Sequence, residues 1–293
     1  MAGVVTQAQV QSYRALLSEV ETAALADVFE LVQQANRLGV AAGQQLLHEL
    51  LPHVLDPYAV VSSEVAAAFY EELRAAAGVA QSYAVEALPA GLADRSVHSL
   101  VGEAAKRADG GALSFEFLAG GVAKRVTEVA SDTIIGNAAA DRVMVGYQRV
   151  PQAGCCAFCG MLASRGAAYG SAESAGIVVG RGRPVGSHRL AKGIRPRGSR
   201  KLGEAFHDHC RCAVVPVFED THVEMQARAD EYYDAYSEAY SKARDGLEWR
   251  PGKKATEDEP GYAGHWARSG KQVTNAQTVA EILSFMRDSL GVK

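Results

Sequence analysis

All five cysteines of this 293-residue chain fall between positions 155 and 212, in two tight groups. The first group reads Cys155-Cys156-Ala157-Phe158-Cys159 and the second reads His207-Asp208-His209-Cys210-Arg211-Cys212. Cys156-x-x-Cys159 lets two thiolates converge from one tight turn. His207-x-x-Cys210 does the same with an imidazole and a thiolate, and together they make a tetrahedral Cys3His set for one structural zinc ion. Cys212 rivals Cys210 as the fourth ligand, because residues separated by one on a strand share a face. Cys155 is expected to pack or stay free rather than ligate, and His209 to lie at the surface. The 47 residues between Cys159 and His207 make a longer insertion than ordinary zinc fingers carry.

Catalytic alternatives find less support. Four protein ligands leave no open position for a zinc-bound water, and the sequence has neither HExxH nor a His-x-Glu ahead of the cysteines. The nearest approach to a serine-hydrolase elbow, Glu173-Ser174-Ala175-Gly176, lacks the first glycine. His98, His188 and His207 are conceivable bases, but no spacing ties any of them to a serine. No catalytic residue is assigned.

A second chemical feature lies inside the insertion. Arg181, Arg183, Arg189, Lys192, Arg195, Arg197, Arg200 and Lys201 occur without an intervening acid and among several glycines. Such a run can neutralise phosphates, giving salt-sensitive and sequence-independent affinity for DNA through Arg181, Arg183, Arg195, Arg197, Arg200 and Lys201. The same charges can instead lie over acidic helices of this chain or of a partner. The formal balance is −8 for residues 1–142, +8 for 143–218 and −4 for the remainder.

The elements that position these residues read as mostly helical. Val10, Leu17, Val20, Ala24, Val28 and Leu31 recur at helical steps and predict a helix over 7–34. Leu46, Leu47, Leu50, Leu51 and Val54 predict a second over 41–54, stopped or kinked at Pro52, with a new helix starting at Asp56-Pro57. That helix would bury Val61, Val65, Ala68, Phe69 and Leu73. Weaker patterns cover 94–108 and 113–137, the latter crossed by Gly120-Gly121. Val143, Val145, Tyr147 and Arg149 alternate as a strand leading into the cysteine segment, and 213–218 forms one leading out. Tyr233, Tyr236 and Tyr240 line a helix over 223–244 and are expected to pack. Residues 249–271 read as a linker, and Val279, Ile282, Leu283, Met286 and Leu290 as a last amphipathic helix.

With 48% hydrophobic residues the chain can bury a sizeable core. It lacks any apolar run of eighteen residues, and residues 1–11 lack the pattern of a signal peptide, so no membrane contact and no export are expected. An odd cysteine count without an export signal favours metal binding or reactive thiols over a disulfide framework. The fold class expected is mainly α. Its parts are a helical domain over 1–142, a small zinc-bearing α+β module over 143–218 with a basic insertion at 177–203, a helix over 219–247, a linker over 248–274 and a C-terminal helix over 275–293.

The run Cys156-Ala-Phe-Cys159-Gly-Met-Leu-Ala-Ser-Arg-Gly-Ala-Ala-Tyr169, followed by Phe206-His-Asp-His-Cys-Arg-Cys212 and Val214-Val-Pro-Val-Phe218, resembles the phage Mu F-like minor head proteins of the actinobacteriophage branch. The specific motifs occupy residues 147–218, while the helical regions before and after match in kind. The resemblance implies a head-morphogenesis protein made in the cytoplasm of the infected bacterium. It would be built into the procapsid near the portal, with the portal and other head proteins as partners. It also brings the label of capsid maturation protease, held here as the alternative reading. A nucleic-acid-binding zinc protein is the second alternative.

Overall fold

The computed structural model describes residues 4–89, 94–152, 155–164, 212–218, 222–223, 226–250 and 265–291. It divides into two compact units: Met1–Gln152 with Phe206–Gln226, and Ala153–Ala205 with Ala227–Lys293.

The first unit is built on helices α1 (Gln7–Arg37), α2 (Val40–Ala76), α3 (Asp94–Lys106) and α4 (Phe115–Ala140). Thr6 starts α1 through a reciprocal capping box with Gln9, its hydroxyl accepting the Gln9 N–H at 3.2 Å. Gly39, at φ 82°, turns the chain from α1 into α2. The two helices then run so close that a Cβ at Gly43 would collide with the Ala35 carbonyl. Val28, Leu31, Leu47, Leu51 and Leu55 form the core with Val101 of α3 and Leu118 and Val122 of α4.

Helix α2 differs from the sequence expectation, because it runs through both Pro52 and Pro57 without a break. An interior proline costs about 3 kcal/mol in an isolated helix. Here one unbroken buried face, from Leu47 through Leu51, Leu55, Ala59 and Ala66 to Leu73, packs on α1 and α4 and offsets that cost. The expected face is met in part: Phe69 and Leu73 are buried, but Ser62, Ser63 and Ala66 take the interior beside them, while Val61 is 47% exposed. The Gly120-Gly121 pair does not interrupt α4. Gly121 lies where α3 crosses, and a side chain there would collide with Leu100.

Strands β1 (Val4–Val5), β2 (Met144–Val150), β3 (Ala213–Phe218) and β4 (His222–Val223) complete this unit. The expected strands into and out of the cysteine segment are β2 and β3. They pair antiparallel, from Met144 opposite Phe218 to Val150 opposite Ala213. Every residue of β3 is buried.

In the second unit, α5 (Ala157–Ala163), α6 (Gln226–Arg244) and α7 (Asn275–Leu290) accompany a three-stranded antiparallel sheet. The sheet is β5 (Glu248–Arg250), β6 (His265–Arg268) and β7 (Lys271–Val273), so described parts of the stretch read as linker are strands. Arg268 holds it in place, with both terminal guanidinium nitrogens on the Glu281 carboxylate of α7 at 3.1 Å. On α6 the expected tyrosine face is not the packing face. Tyr232, Ala235, Ala239 and Ala243 are buried, whereas Tyr233 is 56% exposed. Alanines let a helix approach its neighbours closely, and Tyr240 stays outside beneath the Arg244 guanidinium.

The chain is mainly α, as the periodicity implies. Among the described residues, no helix is long and apolar enough to cross a membrane.

Candidate functional site

The first cysteine group sits at the start of α5. Cys156 is the N-cap residue, in extended conformation, with its carbonyl accepting the Gly160 N–H at 3.1 Å. Cys159 follows one turn on and is buried. Residues three apart on a helix share a face, so the pair anticipated from a tight turn is set by a helix start instead. Two thiolates so placed suit a tetrahedral zinc knuckle in donor type and spacing.

Cys155 has a different neighbour. Its sulfur lies 3.5 Å from the Tyr232 hydroxyl of α6. Apart from the half-buried Phe158 the remainder of α5 is buried, and it packs on α7 through Gly160. A Cβ at Gly160 would stand 3.1 Å from the Tyr232 ring and 3.5 Å from Leu290.

In the first unit, Cys212 is buried directly before β3. Arg14 of α1 donates to the Val150 carbonyl, which fastens the end of β2 where the chain departs toward the cysteines. Arg149, beside it, is 1% exposed and opposes Val214 across the ladder. His207, His209 and Cys210 lie outside the described residues, as do Ser174, His188 and the basic run from Arg181 to Lys201.

A buried polar cluster that sequence reading did not identify fixes where β2 begins. Asp141, at the C-cap of α4, accepts from Arg74 Nε at 2.8 Å and from the Tyr70 hydroxyl at 3.2 Å. The Arg74 guanidinium lies over the Tyr83 ring, 5.7 Å from its centroid, and Phe218 of β3 meets Tyr70 edge-on. Burial, and then the Asp141 charge, push the Tyr70 phenol well above its ordinary range, so it remains a donor. Nearby, Asn137 clamps the extended backbone at Glu86, its oxygen accepting the N–H at 2.9 Å and its nitrogen donating to the carbonyl at 2.7 Å. The only sequence sign of this cluster is an acid placed just past a helix end.

His98, one of the conceivable bases, stands edge to face with His48 of α2 at 4.6 Å between ring centroids. Burial, and then the charge of His98, hold His48 below the usual imidazole range. The folded chain therefore binds fewer protons at this site than the unfolded chain. Its contribution is intact above about pH 6.5 and is lost as pH falls through the lowered folded value. Protection factors of the α3 amides, corrected for the pH dependence of intrinsic exchange, should be lower at pH 5 than at pH 7.5, and His48→Gln should remove most of that difference. An unchanged pH response in the variant would exclude this pair as its origin.

These features define a mainly helical protein in which a Cys/His-bearing segment is inserted between the two strands of a buried antiparallel ladder. A family model described as VG15 protein matches residues 4–239, and the chain belongs to that viral, phage-borne family. No curated protein and no solved structure gives a significant match.

Proposed function

We propose that this VG15-family chain is a phage head-morphogenesis protein, a minor capsid component of the Mu F-like kind built into the procapsid near the portal. The family match over residues 4–239 carries the reading, because it spans both the helical region and the Cys/His segment of a phage protein. Portal and other head proteins are its partners in this account, and the procapsid or virion head is its setting.

The same reading gives the segment one structural zinc, held by Cys156, Cys159, His207 and Cys210, with Cys212 as the rival to Cys210. Two observations support it. Cys156 and Cys159 share the first turn of α5. Pairing of Val150 with Ala213 makes the chain leave and rejoin the ladder at one end. The first knuckle begins six residues beyond Val150 and the second ends three before Ala213. The zinc would fix the local chain conformation, since binding energy at such sites is folding energy.

The role is tested by infection with phage lacking this gene. Head protein should still be made, while the yield of infectious particles collapses; an undiminished yield would sink the assembly role. Purified chain added to head protein should leave it uncut. Cleavage abolished by Ser174→Ala, with folding unchanged, would establish the maturation protease instead.

A further inference from the structure

Along α1 and α2 the first unit carries a feature that neither the cysteine segment nor the family explains. An open groove of about 330 Å³ runs between the two helices. Leu31, Val54 and Pro57 are its apolar lining, and Asp27, Glu30, Gln34, His53 and Tyr58 its polar lining. Exposed apolar residues extend the Val54 and Pro57 face along α2 in both directions. Leu50, Val54, Pro57 and Val61 follow at steps of four, three and four, which places them on one face over three helical turns, roughly 17 Å. At the two ends Leu50 is 40% and Val61 47% exposed. Apolar side chains at this spacing, left in water beside a groove, match the way an amphipathic helix is received by its partner.

The charge around the groove selects the occupant. Between residues 15 and 73 there are nine carboxylates and a single basic residue, Arg37. Asp27 and Glu30 have no ion-pair partner among the described residues. The Tyr58 hydroxyl donates to Asp27 Oδ2 at 2.5 Å and holds that carboxylate at the groove edge. This hydrogen bond, with burial, pushes the Tyr58 phenol up to about 12, so the arrangement persists across the physiological range. Acidic groups beside an apolar lining attract cations and repel nucleic acid and anionic lipid alike.

We propose that the α1/α2 groove is a docking site for a basic amphipathic helix of a partner protein. Apolar residues of that helix cover the stripe from Leu50 to Val61, and its lysines or arginines meet Asp27 and Glu30. The inference stands independently of zinc binding and of the head-assembly role.

The test uses the full-length chain and three labelled synthetic peptides followed by fluorescence anisotropy. One is a leucine–lysine amphipathic helix, the second its leucine–glutamate counterpart, and the third a scrambled leucine–lysine peptide without an apolar face. The first should bind saturably and the other two at least tenfold more weakly. Asp27→Asn combined with Glu30→Gln should weaken the first peptide about tenfold, as expected for the loss of two exposed ion pairs. Val61→Gln should weaken it through the apolar stripe. All three positions are exposed, so circular dichroism should show an unchanged fold. Equal binding of the scrambled peptide, or affinity indifferent to the substitutions, would overturn the proposal. So would self-association of the chain that the same substitutions abolish, because the occupant would then be a second copy.

Discussion

Cys156→Ser and Cys159→Ser should each abolish zinc uptake and unfold the segment around α5, whereas Cys155→Ser should do neither. The difference follows from what each sulfur does. Cys156 and Cys159 share the first turn of α5 and supply two of the four proposed ligands. Structural zinc in comparable small sites contributes on the order of 10 kcal/mol to folding, far more than a helix of seven residues gains from its own hydrogen bonds. Cys155 faces the Tyr232 hydroxyl, and a serine there keeps a group able to exchange a hydrogen bond with it. Because Cys159 is buried, serine at that position also carries a desolvation cost. Zinc content by elemental analysis therefore separates the two effects: the account expects about one zinc per chain, lost in both ligand variants. A metal-free chain that is fully folded, or equal damage at all three cysteines, would contradict it.

The second large effect is expected at Asp141. Asp141→Ala leaves the buried Arg74 guanidinium without its carboxylate, and removing one member of such a pair costs about 3–5 kcal/mol. The consequence should extend beyond α2 and α4, because Asp141 also accepts the Val143 N–H at 3.3 Å, just where β2 begins. Faster exchange of β2 and β3 amides, with a lowered unfolding temperature, is the expected signature. Replacing both partners, Arg74→Met with Asp141→Leu, should be less damaging than Asp141→Ala alone, since no buried charge is stranded. A double variant as unstable as the single one would mean that packing around the pair, and not its charge, is what matters.

Much of the helical layer was legible because its apolar residues repeat at the helical period. Val10, Val20, Ala24, Val28 and Leu31 define the inner face of α1, and Ile282 and Met286 that of α7. The β2/β3 ladder was legible from alternation in one strand and a short apolar run in the other. What misled was local chemistry read without tertiary context. Pro52 and Pro57 are helix breakers in isolation, yet the buried face of α2 continues across both. The tyrosines of α6 look like a packing stripe, but the neighbouring alanines allow closer contact and take the interior. Strands of three or four residues around Gly246 and Gly270 carry too little periodicity to separate from a loop.

The candidate site divides in the same way. Cysteine spacing singled out Cys156 and Cys159, and α5 places them one turn apart. His207 and Cys210 rest on their own spacing, because they fall outside the described residues. Arg14, which holds the Val150 carbonyl, gave no signal, since a single arginine on an amphipathic helix has the appearance of a solvated one. Asp141 offered only its place just past a helix end, because its partner Arg74 lies 67 residues away in the sequence.

Quantitative mass spectrometry of purified procapsids and virions decides whether this chain is a component of the head. The account predicts peptides of this chain in procapsids at a fixed ratio to the portal protein, with no cleavage of head protein that depends on Ser174. Its absence from both particles, with the chain abundant in the infected cell, would contradict a role in the head.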